Sequence, residues 1–181
     1  MNIVRFKKEL SIVILCGGKG LRLRPLTKTQ PKPLIKINDK SILENIIKHF
    51  LNYKIKNFII ATGYKNELID EFIKKKFKKH NIKTIYTGIN SDIIVRLEKI
   101  SKHSNNNFLV CYGDTRLDID LNNYIKFYLE NKKKILVASY QLKSSFGILD
   151  IKKNNEVVNF KEKPKLDIWF NIGYFMFSFD K

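Results

Sequence analysis

The sequence predicts an α/β fold. A mostly parallel sheet is flanked by helices on both faces and passes into a mixed or antiparallel extension in the C-terminal third. Three observations predict it. From residue 11 to residue 140, apolar runs of strand length alternate with amphipathic stretches of helical length. The strand-like runs are continuously apolar and rich in β-branched residues, as strands covered on two faces are. After residue 140 the helical pattern stops, and FGILDI, EVVNFKE and GYFMFSF are all strand-like. The alternating part implies right-handed crossovers. With no internal repeat, low-complexity linker or Pro/Ser-rich break, residues 1–181 read as a single domain.

Each element has its own signal. Residues 1–10 are a short lead-in of mixed character with four charges. They lack the apolar stretch and small-residue cleavage site of a signal peptide. Ser11–Cys16 (SIVILC) reads as a buried strand ended by glycines. Residues 41–52 place Ile42, Leu43, Ile46, Ile47 and Phe50 at helical spacing, and Ser41 with Glu44 forms a capping box. Asn57–Thr62 is a second buried strand, 66–78 a helix, 82–86 a strand, and 92–102 a helix. Asn107–Tyr112 (NFLVCY) is a further buried strand, followed by a helix over 120–131 with Asp120 as its N-cap. Residues 134–140 form the strand that ends the alternation.

Composition narrows the function classes. Hydrophobic residues make up 44% of the chain, which places it among globular proteins rather than disordered ones. No apolar run approaches the ~20 residues that cross a bilayer, so no membrane partner is expected. The net charge of +18 rests on 30 Lys against 5 Arg, and Lys, Asn and Ile together supply 74 of the 181 residues. All three are encoded by A/T-rich codons, so much of the charge reads as coding bias on a solvated surface. Recognition of nucleic acid recruits Arg, which argues against a polynucleotide partner. Cys16 and Cys111 lie within apolar runs without metal-ligand spacing. They read as buried free thiols in a reducing cytoplasm.

Two strand ends carry the chemistry. Cys16-Gly17-Gly18-Lys19-Gly20-Leu21-Arg22-Leu23-Arg24-Pro25-Leu26-Thr27 follows the first strand, and Pro31-Lys32-Pro33-Leu34 follows shortly after. Three glycines let the backbone approach a ligand and aim several N–H groups at anionic oxygens. Arg22 can grip phosphate with two donors, and Lys32 offers a point charge between two stiffening prolines. No Gly-Lys-Ser/Thr follows as in a P-loop, and the G-x-G-x-x-G dinucleotide pattern is not completed. Cys111-Tyr112-Gly113-Asp114 closes another strand. A carboxylate there can hold a hard cation, and Mg²⁺ needs only one or two carboxylates besides substrate phosphates. In open sheets, ligands sit beyond the carboxyl ends of the strands.

The first string resembles the opening signature of the sugar-phosphate nucleotidylyltransferases, G-G-x-G-T-R-L-x-P-L-T followed by P-K-P, and the resemblance extends over residues 10–179. It implies a Rossmann-like catalytic domain. Cys16, Gly17, Gly18 and Gly20 would bind the nucleotide, Arg22 and Lys32 would be catalytic, and Asp114 would hold Mg²⁺. Downstream, Phe146-Gly147, Glu162-Lys163-Pro164 and Trp169-Phe170-Asn171-Ile172-Gly173 match the order of the family's acceptor side. That likeness assigns the acceptor to Gly147, Glu162, Lys163 and Asn171, with Trp169 as a packing residue. Thr87-Gly88 followed by Arg96-Leu97, together with CYGD and FGILD, is similar to the glucose-1-phosphate cytidylyltransferase branch. This adds Thr87, Gly88 and Arg96 to the nucleotide-binding set and CTP as donor. On the residues alone, an Arg96 that serves the packing of an amphipathic helix stays open.

The chain departs from the pattern in three places. Leu21 replaces a usual Thr, Ile94-Val95 replaces paired glycines, and Ile172 replaces a glycine. The last leaves two acceptors open, a sugar 1-phosphate or a non-sugar phosphate as in the phosphoglutamine cytidylyltransferases of capsule synthesis. The family's second metal-binding Asp has no counterpart in these 181 residues, so either the domain is cut short at its C-terminal side or the remaining carboxylate comes from elsewhere. The resemblance implies a cytoplasmic enzyme acting on small molecules. A homo-oligomer, an inactive nucleotide-binding module and a basic nucleic-acid binder stay open as alternatives.

Overall fold

The computed structural model describes residues 2–131 and 134–178. Helix α1 (Ile3–Glu9) leads into β1 (Ser11–Cys16). Three single 3₁₀ turns follow over Leu21–Leu23, Leu26–Lys28 and Lys32–Leu34, and then a small hairpin of β2 (Lys36–Ile37) and β3 (Lys40–Ser41). Next come α2 (Ile42–Asn52), β4 (Asn57–Thr62), α3 (Asn66–Lys76), β5 (Asn81–Tyr86), α4 (Ile93–Ser101), β6 (Asn107–Tyr112) and α5 (Leu121–Asn131). The chain continues through β7 (Ile135–Lys143), β8 (Ile148–Ile151), β9 (Val157–Lys161) and β10 (Lys165–Ser178).

Six strands form one sheet in the order β5-β4-β1-β6-β10-β7. β1 pairs in parallel with β4 on one side and β6 on the other, while β10 runs antiparallel to β6. The α/β expectation and its antiparallel extension are therefore both present. The chain leaves β1 towards β4 and β5, then returns to place β6 on the other flank of β1. That reversal opens a crevice between the carboxyl ends of β1 and β6.

The sheet is held by two apolar faces. Val13, Ile59, Ala61, Phe108 and Val110 form one buried cluster, with Ile100 of α4 against it. Alternation puts Ile14 and Cys111 on the opposite face, where they are fully buried. Tyr174 is the register partner of Cys111 and shares that face, and its ring stacks on Phe50 of α2 at 5.9 Å. Helices thus cover both faces.

Local signals explain most element ends. Ser41 caps α2 by accepting from the Glu44 N–H at 3.0 Å. The reciprocal half of the capping box is replaced, because the buried Glu44 carboxylate pairs with Lys48 at 2.5 Å and Lys76 at 3.6 Å. Asp92 accepts from the Val95 N–H at 2.9 Å to cap α4. Asp120 accepts from the Asn122 N–H at 2.8 Å at the start of α5. Helix α1 departs from the expected lead-in. Asn2 caps it, and a single fully buried residue, Phe6, anchors it 5.8 Å from the Tyr128 ring. One apolar anchor in seven residues gives too little periodicity to read from sequence.

The chain divides into two compact units: Met1–Leu136 with Gly173–Lys181, and Val137–Ile172. Within the second unit, β8 and β9 form an antiparallel hairpin with Leu149 opposite Phe160 and Asp150 opposite Asn159. Trp169 is 59% exposed, so it is not the packing residue expected from its aromatic strand.

Candidate active site

A crevice of about 520 Å³ opens at the carboxyl ends of β1 and β6. From the β1 side it is lined by Leu15, Cys16, Gly18, Gly20, Leu21, Arg22, Leu23, Lys32 and Pro33, and from the β6 side by Tyr112, Gly113 and Asp114. The guanidinium, the ammonium and the carboxylate singled out in the sequence therefore face one cavity.

Local chemistry shapes the loop. Gly20 has φ +62°, a left-handed conformation that a side chain disfavours. A Cβ there would also stand 2.9 Å from Thr27 Cγ2. Thr27 is buried and closes the turn, its Oγ1 donating to Gly20 O at 2.9 Å, while Tyr64 Oη donates to Thr27 O at 2.9 Å. Arg22 is exposed and makes no hydrogen bond or ion pair among the described residues, so its donors are available to a ligand. Lys32 Nζ lies 2.5 Å from Asp114 Oδ2, closing the crevice with an ion pair between residues 82 apart in sequence. Gly113 is required by β1 itself. Its N–H donates to Leu15 O at 2.9 Å, and a Cβ would stand 2.6 Å from Cys16 Sγ.

Four other nucleotide candidates gather on the β4/β5 side of the loop. Arg96, only 7% exposed, reaches from α4 and donates to Ser91 O at 3.1 Å and to Thr87 Oγ1 at 2.5 Å. It also donates to Thr62 O at 3.4 Å and to Gly17 O at 3.5 Å. Thr87 is fully buried and donates to Thr62 O at 2.8 Å. Gly88 has φ +106°. Gly17, Thr87, Gly88 and Arg96 are thus brought together, but not onto the crevice wall. Burial draws the Arg96 guanidinium below its usual range, against the opposing pull of Tyr86 and Asp92. An arginine remains charged after such a shift.

Cys16 and Cys111 are free and buried. Burial pushes the Cys16 thiol well up, the nearby Asp114 carboxylate adds to this, and Arg96 opposes it. Burial raises Cys111 as well, with Cys16 adding to it. Both stay neutral, so neither is a nucleophile.

The acceptor candidates belong to the Val137–Ile172 unit, where Gly147, Glu162, Lys163 and Asn171 are all exposed. Lys163 has φ +41° and its Nζ lies 3.5 Å from Glu162 Oε1. The space left by the missing Cβ of Gly147 is taken by the Phe160 ring, whose Cε2 and Cζ would lie 2.5 and 2.7 Å from it. Three residues escaped the sequence reading. Thr27 carried its signal in the quoted motif. Gly63, where a Cβ would stand 2.7 Å from Gly17 O and Gly88 O, and Ser91, whose carbonyl accepts from Arg96, had none, because packing decides their importance.

Comparison with known proteins places the chain in a family. The profile of the family described as Nucleotidyl transferase matches residues 11–180. The chain is 31% identical to a glucose-1-phosphate cytidylyltransferase of Salmonella typhimurium, over 93% of this chain and 75% of that protein. It is 35% identical to a D-glycero-alpha-D-manno-heptose 1-phosphate guanylyltransferase of Campylobacter jejuni, over 85% of this chain and 69% of that protein. Among solved structures, HddC from Yersinia pseudotuberculosis complexed with GMP-PN superposes with a TM-score of 0.68 at 23% identity. That likeness covers 93% of this chain and 76% of HddC and shows the shared fold. A profile match over nearly the whole length, joined to relatives above 30% identity, shows that this chain belongs to the nucleotidyl transferase family.

Proposed function

We propose that the chain, as one catalytic domain over residues 1–181, transfers a nucleoside monophosphate from an NTP to a small phosphorylated acceptor and releases pyrophosphate. The single observation that carries this reading is the shared crevice. Gly18, Gly20, Arg22 and Lys32 lie along one wall and Asp114 along the other. Such a site suits two polyanions. The attacking phosphate oxygen is already an anion, so no general base is required, and the work is positioning and charge neutralisation.

Asp114 is the residue that would hold Mg²⁺. Its carboxylate already draws a cation, the Lys32 ammonium, into the crevice. Among the described residues no group of three His, Cys, Asp or Glu could hold a metal. The other ligands would be phosphate oxygens and water, as is usual for this ion. When bound, Mg²⁺ supplies neutralisation of polyphosphate charge. The backbone amides of the glycine loop bind the donor's phosphates, Arg22 grips a phosphate with two donors, and Lys32 offsets charge at the reacting phosphorus. Glu162, Lys163 and Asn171 are assigned to the acceptor, with Lys163 orienting its phosphate; Gly147 shares that assignment by resemblance, although the space beside it is filled by Phe160.

CTP is the proposed donor. It is supported by Thr87-Gly88, Arg96-Leu97 and the similarity to cytidylyltransferases, while a guanylyltransferase among the relatives makes GTP the competitor. The acceptor is a sugar 1-phosphate or a non-sugar phosphate such as phosphoglutamine, used in surface polysaccharide synthesis in the cytoplasm. Among the described residues no helix is long and apolar enough to cross a membrane. Screening the four NTPs with Mg²⁺ against sugar 1-phosphates and phosphoglutamine, with pyrophosphate as readout, tests the reading. CTP should exceed the others at least tenfold. Pyrophosphate release with none of the pairs overturns catalysis and leaves an inactive nucleotide-binding module. Lys32→Ala and Asp114→Asn should each lower turnover about 10²–10³-fold with unchanged melting, the loss typical of one charge contact at a reacting centre.

A further inference from the structure

We propose that Arg96 is a positioning residue: it holds the glycine-loop backbone at Gly17 so that the amides beyond it face the donor's phosphates, and it does so without touching the nucleotide. This rests on the reading of the crevice as an NTP site.

The guanidinium is spent on protein oxygens. Nε serves Ser91 O, Nη1 serves Thr87 Oγ1 and Thr62 O, and Nη2 serves Gly17 O. Those acceptors come from the ends of β1, β4 and β5 and from the turn before α4. Four of five donors are engaged, and the side chain is nearly buried. Moving the guanidinium out to a phosphate would break several of these bonds in a buried setting, where unpaired polar groups are costly.

Gly17 is shaped to fit this side chain. A Cβ on Gly17 would collide with the Nη1, Cζ and Nη2 atoms of Arg96. Gly63 closes the same junction, since its own Cβ would stand 2.7 Å from both Gly17 O and Gly88 O. The Gly17 carbonyl also accepts from the Tyr64 N–H at 3.2 Å. The carbonyl of Gly17 is therefore fixed by two donors, and with it the Gly18 N–H, which lies in the same planar peptide and begins the run of amides through Gly20. Lysine at position 96 would offer charge but not a planar fork able to reach four acceptors.

The test is a double-mutant cycle on the whole chain, read by titration with whichever of the four NTPs the wild type binds tightest and with the corresponding NMP. Arg96→Ala should weaken NTP binding about 10–100-fold, the scale set by an ångström of misplacement. NMP binding should fall less, because fewer phosphates depend on the loop. Arg96→Lys should not restore affinity. Gly17→Ala should weaken NTP binding alone, yet add less than threefold once Arg96 is also alanine. If Arg96→Ala fails to fold, Arg96→Met retains the stem and completes the same cycle. Retained affinity in Arg96→Lys, or full additivity with Gly17→Ala, overturns the positioning role. Equal losses for NTP and NMP overturn it too, since they report only a loosened fold. Absence of NTP binding in the wild type is a separate outcome that sinks the crevice reading and this inference with it.

Discussion

The two compact units use their apolar residues in opposite ways. In the unit of Met1–Leu136 with Gly173–Lys181, Ile12, Val13, Ile14, Ile60, Leu109 and Val110 are fully buried. In Val137–Ile172, Phe146 is 79% exposed, Phe160 and Trp169 are both more than half exposed, and Leu149 and Ile151 are exposed beside them. Both units carry apolar strand-like runs in the sequence, and both contain strands. The difference lies in the connections between strands. Crossover helices return over the sheet in the first unit, whereas β8 and β9 form a hairpin with no helix between β7 and β10. Hydrophobic alternation reports which face of a strand is apolar, but only the connection decides whether that face is covered.

Four measurements would break or sharpen this contrast. The largest effect is expected at Phe108, buried in the sheet and stacked on Phe177 at 5.3 Å. Phe108→Ala should cost about 3–5 kcal/mol in urea unfolding, from lost transfer energy and the cavity left behind. A smaller effect is expected where acidification protonates Glu44, which is 3% exposed. Burial opposes its charge, but Lys48 and Lys76 together outweigh this and hold the carboxyl below its usual value of 4.5. The folded group therefore releases its proton more readily than the unfolded one. Its contribution is complete above about pH 4.5 and is lost as pH falls through the folded value. Because both lysines are half exposed, solvent screening keeps the contribution well below the loss expected at Phe108. Glu44→Gln should flatten this part of the stability–pH curve, and an unchanged slope would remove the pair from the acid response. Thr27→Val keeps the shape but deletes the bond to Gly20 O, with an expected loss of about 1 kcal/mol and weaker NTP binding. Trp169→Ala in the exposed unit should change stability by no more than about 0.5 kcal/mol. A loss at Trp169 as large as that at Phe108 would erase the contrast.

Much of the fold was legible because its signals are local. The SIVILC, NFIIAT and NFLVCY runs became β1, β4 and β6 over the expected residues. Ser41, Asp92 and Asp120 cap their helices because a side-chain oxygen one turn from an unpaired N–H is a property of short sequence. The helix expected over 66–78 ends at Lys76, and α1 was missed for want of periodicity. At the candidate site, the glycine loop, Arg22, Lys32 and Asp114 were recognisable from residue types at strand ends. The full burial of Thr87 and the occupation of the space at Gly147 by Phe160 were not, because packing partners decide both.

The amino-acid sequence by itself determined the order of strands and helices, the phosphate-shaped loop after β1 and the acid after β6. Each depends on residues within one turn or one strand of one another. The tertiary structure alone decided that Lys32 faces Asp114, 82 residues away, and that Arg96 lies against Gly17, 79 residues away. Such pairings arise when strands distant in the chain are brought side by side in a sheet, where strand order rather than sequence distance sets the neighbours.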